Sequence, residues 1–168
     1  MRHTYSPDTY ADSHYDAYFC LKPPLLLWVA VLYLSKALTL PAIAAVGAYA
    51  GVNADAISLL KRFWSAEALL PSLIAAVILY TLCRRLPTAS KQVRWIWAHG
   101  RIFLAFSAGI DLLLSLTPAI RAGEMNDQVL WSLFNATIDV YFLAYILTAR
   151  RVRDTFSEFP PADVPVKR

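Results

Sequence analysis

Four ionisable side chains lie within long apolar stretches of the sequence: Lys36, Arg101, Asp111 and Asp139. A charge at the centre of a bilayer costs about 2.5–3.5 kcal/mol on insertion scales, so such residues usually face protein or water. Two interpretations fit this pattern. In the first, the charges neutralise one another and fix how the helices pack. In the second, Lys36, Asp111 and Asp139 form a proton relay or a substrate site. The sequence favours the first and leaves the second open.

The depth of each charge in the membrane decides which pairs can form. At about 1.5 Å per helical residue, Arg101 lies roughly 9 Å and Asp139 about 15 Å from the predicted inner boundary. Lys36 lies about 18 Å and Asp111 about 24 Å from the same boundary. Lys36 can therefore pair with Asp139 or, across a kink at Pro41, with Asp111. Arg101 can reach Asp139 or extend to the inner interface.

The charges lie within four apolar stretches, each long enough to cross a hydrocarbon core of about 30 Å as a helix. We predict membrane spans at residues 24–50, 67–83, 95–118 and 129–149. The composition agrees, since 58% of the residues are hydrophobic and 17% are charged, against about 25% charged in soluble domains. The predicted fold is all-α, an integral membrane bundle of four transmembrane helices. Residues 1–23 form a cytoplasmic tail, and residues 150–168 form a cytoplasmic, largely disordered tail.

The basic residues predict the orientation of the bundle. Of the 16 Lys and Arg residues, eleven fall in the two tails and in the loop between spans 2 and 3, whereas three fall in the other two loops. The positive-inside rule therefore places both termini in the cytoplasm. These loops also account for the net charge of +4, so no nucleic-acid partner is expected. The expected partners are the lipid bilayer and another membrane protein or a second copy of the chain.

Small residues near the end of the first span predict close helix packing. Gly47 and Gly51 are four residues apart, a spacing that lets a neighbouring helix approach one face closely. Pro41 lies inside the same span, where it removes one backbone hydrogen bond and predicts a kink. We therefore expect a bent first helix with a small-residue face near its outer end.

No catalytic or cofactor motif accompanies the intramembrane charges. The sequence contains no H-E-x-x-H, G-x-S-x-G or G-x-x-x-x-G-K-[ST] pattern. Cys20 and Cys83 are isolated and fall on the predicted cytoplasmic side, where disulfides are rare. His99 is the one histidine inside a predicted span, so a haem site is not expected. We predict a non-enzymatic protein with no cofactor and no metal site.

The junction between the N-terminal tail and the first span resembles a known family. Residues 15–25, YDAYFCLKPPL, followed by Leu27 and Trp28, resemble the YfeZ-like family of uncharacterised proteobacterial inner-membrane proteins. In that family, glycine usually stands at the position of Phe19. The resemblance implies a bacterial inner membrane and a similar four-span layout, and it implies no activity or ligand. The residues that carry it are Tyr15, Asp16, Leu21, Lys22, Pro23, Pro24 and Trp28.

The same junction also has a physical interpretation. Tyr15 and Tyr18 suit the headgroup zone of a membrane, where amphipathic rings are enriched, and Lys22 suits a lipid phosphate. Asp16 can bond the arginines at positions 84, 85 and 94, which are predicted on the same face. That contact would tie the tail to the bundle, whereas the alternative is a mobile tail without fixed contacts.

Two functions remain open at this point. The favoured one is a non-enzymatic small subunit or assembly partner of a membrane complex, because intramembrane charges and small-residue faces commonly serve helix association. The alternative is a small transporter or ion or proton pathway that uses the intramembrane Asp and Lys residues. It requires water to reach the aspartates, so an Asp139 sealed by lipid counts against it.

Overall fold

The structure, a computed structural model, describes residues 10–51, 66–122 and 124–161. These residues form seven α-helices after a short 3-10 helix at Asp12–His14, and they contain no strand. The all-α fold class predicted from the sequence is therefore confirmed for the described part of the chain. The helices are α1 (Leu25–Leu34), α2 (Lys36–Tyr49), α3 (Leu69–Cys83), α4 (Lys91–Ala98), α5 (Gly100–Arg121), α6 (Asp127–Thr148) and α7 (Arg150–Ser157).

Two helices, α5 and α6, are individually long and apolar enough to cross a membrane, with 22 residues each. Helices α1 and α2 satisfy the same criterion only when taken together, and the chain bends by 85° between them. Helix α3 is apolar but has 15 residues, fewer than the roughly 20 that a span needs. Among the described residues, two helices are therefore suited to cross a membrane, or three if the bent pair counts as one. The structure does not clearly contain the four predicted spans.

The bend in the first apolar stretch falls at Ser35 rather than at Pro41. Helix α2 continues through Pro41, so the 85° bend lies six residues before the proline at which the sequence predicts a kink. At the break, the Ser72 hydroxyl of α3 donates to the Leu34 carbonyl oxygen at 3.0 Å and accepts from the Ala37 N–H at 3.2 Å. A break leaves backbone groups without intrahelical partners, and such groups are costly in an apolar interior. Ser72 satisfies one on each side, which explains why the bend is tolerated there.

The bundle is built around the pair α5 and α6. These helices pack along each other, α3 packs on α5, and α1 packs mainly on α3. Many large apolar side chains on the outer surfaces of α5 and α6 are exposed, for example Phe106 and Val140, as expected for helices surrounded by lipid. The apolar core between the helices includes Leu27, Val31, Leu34, Ala75, Ile78, Leu104, Ala108 and Ile146.

Helix α2 leaves the bundle after its first turn. Its buried residues are Lys36 and Ala37, whereas residues 41–49 are exposed or half-buried. Gly51 follows the helix with φ +75°, and a Cβ built there would meet no atom within 4 Å. Within the described residues, the predicted packing face of Gly47 and Gly51 therefore has no close neighbour at Gly51. The packing role of the pair therefore stays a prediction.

The C-terminal segment is more ordered than the sequence predicted. Helix α7 begins at Arg150, inside the predicted disordered tail, and buries Val152 and Phe156 against the bundle. These two residues are four apart and share one helix face, which explains why a segment rich in charge can pack. Residues 162–168 of the predicted tail, and residues 1–9 of the N-terminal tail, lie outside the described residues.

Candidate functional site

The break between α1 and α2 places Lys36 against α5. The Lys36 Nζ lies 2.5 Å from the Asp111 Oδ2, and the two side chains are 9% and 3% exposed. The same ammonium lies 4.2 Å from the centroid of the Tyr33 ring. Lys36 is the first residue of α2, so the break itself presents this side chain to α5. Of the two pairs that the sequence left open, Lys36 therefore forms the pair with Asp111.

Asp139 of α6 lies beside this ion pair and is fully buried. Its Oδ2 accepts a hydrogen bond from the Ser115 hydroxyl at 3.0 Å, whereas its Oδ1 has no hydrogen-bond partner among the described residues. The charged groups that act on it are Asp111 and Lys36. Two carboxylates and one ammonium thus share one enclosed region of the bundle.

Arg101 does not join this group of charges. Its Nε donates to the Ile146 carbonyl oxygen at 3.0 Å, and its Nη2 donates to the carbonyl oxygen of Leu147. These carbonyls lie in the last turn of α6, where helical C=O groups lack intrahelical donors. Arg101 therefore caps the end of α6. It does not pair with Asp139, and that pairing was one of the two roles that the sequence predicted for it.

A cleft of about 790 Å³ leads to the ion pair from one end of the bundle, which we call the cleft end. It lies between the end of α5, the start of α6 and the residues that precede α3. Lys36 and Asp111 are part of its wall, whereas Asp139 is not. Such a concave, partly polar site can admit water or a small solute to the ion pair. The polar wall also includes Glu67, Ser115, Arg121, Gln128, Ser132 and Asn135.

The opposite end of the bundle is covered by residues 10–22 and 150–160, which we call the cap. Within the N-terminal part of the cap, the Asp16 Oδ1 accepts hydrogen bonds from the N–H groups of Tyr18 and Cys20, at 2.9 and 3.0 Å. Tyr15 and Leu21 pair across this turn as an antiparallel bridge. Phe19 lies at the turn with φ +58°, in the left-handed region that favours glycine. The N-terminal segment therefore has a defined local fold.

Arg85 joins the two parts of the cap. Its Nη1 donates to the Leu21 carbonyl oxygen at 2.7 Å, and its Nη2 donates to the Glu158 carbonyl oxygen at 3.1 Å. The Asp16 Oδ2 lies 3.9 Å from Nη1, which confirms the predicted contact between the tail and this loop. The Arg85 guanidinium also lies 4.9 Å from the centre of the Trp97 ring. Arg85 is the residue through which tail, loop and C-terminal segment meet.

Glu158 and Trp97 complete this network. The Glu158 Oε2 accepts from the Leu21 N–H at 2.6 Å, and the Trp97 indole N–H donates to the Glu158 carbonyl oxygen at 2.8 Å. Burial raises the pKa of the nearby Cys20 thiol to about 11, so this thiol is protonated at neutral pH and is a poor nucleophile. The cap is thus a structural element without a reactive group at Cys20.

Helix α7 is held by a close contact that the sequence analysis missed. A Cβ built on Gly100 would lie 2.5 Å from the Phe156 Cε1, so only glycine permits this approach. The rings of Phe156 and Trp97 lie 4.7 Å apart, and the Tyr10 hydroxyl donates to the Asp154 Oδ2 at 3.1 Å. The one sequence signal was the i, i+4 spacing of Val152 and Phe156, which predicts an apolar face but not its partner.

The remaining junction residues serve the start of α1 and its packing. Pro24 is the N-cap residue of α1, with extended backbone angles. The exposed Lys22 ammonium donates to the Ser13 carbonyl oxygen at 3.1 Å. Trp28 packs against the apolar core of the bundle. These contacts connect the cap to the first helix.

Comparison with known proteins gives a family but no activity. The family model described as protein of unknown function (DUF2919) matches residues 10–158. The match begins at Tyr10 and ends at Glu158, so it includes both parts of the cap as well as Lys36, Asp111 and Asp139. No curated protein and no solved structure matches the chain.

Proposed function

The chain belongs to the DUF2919 family of proteins of unknown function, and we propose that it is a small, non-enzymatic transport protein of the membrane. In this proposal, the cleft admits an ion or a small polar solute to the Lys36–Asp111 pair. The observation that carries the proposal is the position of this buried pair at a helix break and in the wall of a cleft. An ion pair that only fixes helix packing requires neither feature.

The helix break is the strongest support for transport over a purely structural role. Discontinuous helices in transporters free backbone groups and direct helix ends toward a bound ion or substrate. Here α1 ends and α2 begins on either side of Ser35, and Lys36 follows directly. Irregular backbone at membrane depth is tolerated where protein buries it or where it lines a water-filled cavity. Here Ser72 of α3 covers the broken backbone, and the cleft provides the cavity beside Lys36.

A role as a subunit or assembly partner is the second candidate, and one observation favours it. Beyond its first turn, α2 exposes apolar residues including Ile43 and Val46. In this role, another membrane protein or a second copy of the chain, rather than lipid, would cover this surface. This role predicts a stoichiometric partner in native membranes, which a pull-down in mild detergent would detect.

We further propose four membrane segments, with the bent pair α1–α2 as the first and α3 as the second. In this arrangement the cap faces the cytoplasm and the cleft end faces the outside. Exposed basic residues near the cap support this orientation through the positive-inside rule; they include Arg84, Lys91, Arg150 and Arg153. The resemblance to the YfeZ-like family supports a bacterial inner membrane.

The proposal is tested by solute uptake into proteoliposomes, measured with isotope-labelled probes, which detects electroneutral as well as electrogenic transport. The probes are sodium, potassium, chloride, phosphate, and panels of amino acids and small carboxylic acids. We expect wild type to take up at least one probe at a rate that falls at least tenfold with Asp111→Asn. Glu124→Gln, which converts an exposed carboxylate to an amide, is the control and should keep the wild-type rate. No uptake of any probe above that of protein-free liposomes, or an equal rate with Asp111→Asn, would overturn the proposal.

A further inference from the structure

If Lys36, Asp111 and Asp139 are all ionised, the interior of the bundle carries a net charge of −1. The groups facing Asp139 are Lys36 from α2, Tyr33 from α1, and Asp111 and Ser115 from α5. Lys36 supplies the one positive charge among them, and it already pairs with Asp111. A second buried carboxylate without a cation is costly in a low-dielectric region, where such groups normally become neutral.

The hydrogen bonding around Asp139 points to the same imbalance. Its Oδ1 is buried and lacks a partner among the described residues, and the neighbouring negative charge is that of Asp111. An ionised carboxylate only accepts hydrogen bonds, so two ionised carboxylates repel each other and cannot bond to each other. One proton on Asp139 removes this repulsion and gives the side chain a hydrogen that it can donate. Paired carboxyl groups in enzymes share a proton for the same reason.

We propose that this group is an exchange site that holds either one proton on Asp139 or one monovalent cation between Asp139 and Asp111. The proposal rests on the proposed transport function and names its ligand. With the proton bound, Lys36 neutralises Asp111, and Asp139 is neutral. With the proton released, two carboxylates and Lys36 carry one net negative charge, which a monovalent cation from the cleft neutralises. The total charge of the site is zero in both states.

The cleft gives both ligands a route. Asp111 and Ser115 belong to the cleft wall, and the Ser115 hydroxyl donates to Asp139. A proton leaving Asp139 therefore passes to water in the cleft through Asp111 or Ser115. A cation arriving from the same end meets Asp111 first. The cation then lies between the Asp111 and Asp139 carboxylates, which it neutralises together with the Lys36 ammonium.

Infrared difference spectroscopy of the full chain in lipid nanodiscs tests this exchange. Sodium, potassium and methylammonium chloride are added separately at neutral pH, which distinguishes inorganic from organic cations. We expect at least one cation to remove a protonated-carboxyl C=O band from wild type. The band should be absent from Asp139→Asn and unchanged in Glu124→Gln. A band that remains in Asp139→Asn, or no protonated carboxyl in wild type, would overturn the proposal.

A second measurement needs no variant and so does not depend on whether Asp139→Asn folds. Addition of the active cation to wild type in weakly buffered solution should release a single proton per protein, read with a soluble pH dye. Cation binding without proton release would overturn the exchange. Failure of the exchange is distinguishable from failure of the transport function. Uptake of a probe with an unchanged carboxyl band rejects only the proton site, whereas absence of uptake with all probes rejects the transport function itself.

Discussion

The two ends of the bundle hold buried charge through different kinds of partner. At the cap, Arg85 donates to two backbone carbonyl oxygens and stacks on Trp97. At the cleft end, Lys36 pairs with the Asp111 carboxylate, and a second carboxylate, Asp139, lies beside the pair. Both ends keep buried side-chain atoms without a partner among the described residues, so the degree of satisfaction does not distinguish them. The difference is that a carbonyl oxygen has one ionisation state, whereas a carboxylate can gain or lose a proton, which is why we place the proposed function at the cleft end.

Removal of Arg85 should have the largest effect on stability. Arg85→Ala should lower the free energy of unfolding by about 2–4 kcal/mol, because it leaves two carbonyl oxygens without this donor, at about 1–3 kcal/mol for each buried unsatisfied group. Unfolding in detergent, followed by circular dichroism, gives the value. Arg84→Ala is the matched control, because Arg84 is exposed and should change the free energy by less than about 0.5 kcal/mol. Equal effects of the two variants would contradict the role of Arg85.

A second test asks whether Lys36 forms its ion pair with Asp111 rather than with Asp139. We expect a double-mutant cycle of Lys36→Met and Asp111→Asn to give a coupling free energy of about 2 kcal/mol, within the range for residues of one salt-bridge network. The cycle with Asp139→Asn should give a smaller coupling, because a protonated Asp139 carries no charge for Lys36 to neutralise. Stronger coupling to Asp139 would reverse the assignment.

The contact between Gly100 and Phe156 offers a third test, on the packing of the cap. Gly100→Ala should destabilise the protein by about 1–3 kcal/mol, the usual cost of overpacking, because its Cβ would clash with the Phe156 ring. Gly109→Ala has space around its Cβ and should be neutral or slightly stabilising, since alanine favours a helix. Thermal unfolding of both variants in the same detergent measures the difference. A similar melting temperature for both would show that α7 is not held by this contact.

The smallest expected effect concerns the Cys20 thiol and pH. Burial raises its pKa from 9.0 to about 11, so the folded state favours the protonated thiol. The stability linked to this thiol is therefore fully present below about pH 9 and decreases as the pH rises toward 11. Wild type should lose stability over this interval relative to Cys20→Ala, measured as the difference between their unfolding free energies. Parallel curves for the two proteins would show that the thiol is not buried.

Sequence reasoning found the charged residues but not the arrangement that pairs them. Composition and apolar stretches predicted an all-α fold, and the placement of Asp16 near the arginine loop followed from orientation alone. The break at Ser35 was not predictable, because the local signal, Pro41, lies elsewhere and the compensating hydroxyl belongs to Ser72 on another helix. The choice of Asp111 over Asp139 depends on that break, since the break sets the direction of Lys36.

Packing contacts between segments far apart in the chain were also not predictable from the sequence. The spacing of Gly47 and Gly51 predicts close packing, whereas the close approach seen among the described residues is at Gly100, which no sequence pattern indicated. Any glycine allows a side chain from another segment to approach closely. Which segment makes that approach depends on the tertiary structure and cannot be inferred from the glycine alone. The composition of the C-terminal segment likewise predicts a charged tail, and the contact of the Phe156 ring with Gly100 is evident only in the structure.

The proposed function requires that water reach the ion pair from the cleft end, and cysteine labelling measures this access. In a variant lacking Cys20 and Cys83, Ser132→Cys places a thiol in the cleft wall. Ser107→Cys places one at a fully buried position of α5 outside the cleft wall. A membrane-impermeant thiol reagent added to the outside of intact cells should label Ser132→Cys and leave Ser107→Cys unlabelled. Failure to label Ser132→Cys, with both variants folded and inserted, would contradict a cleft that opens to the outside.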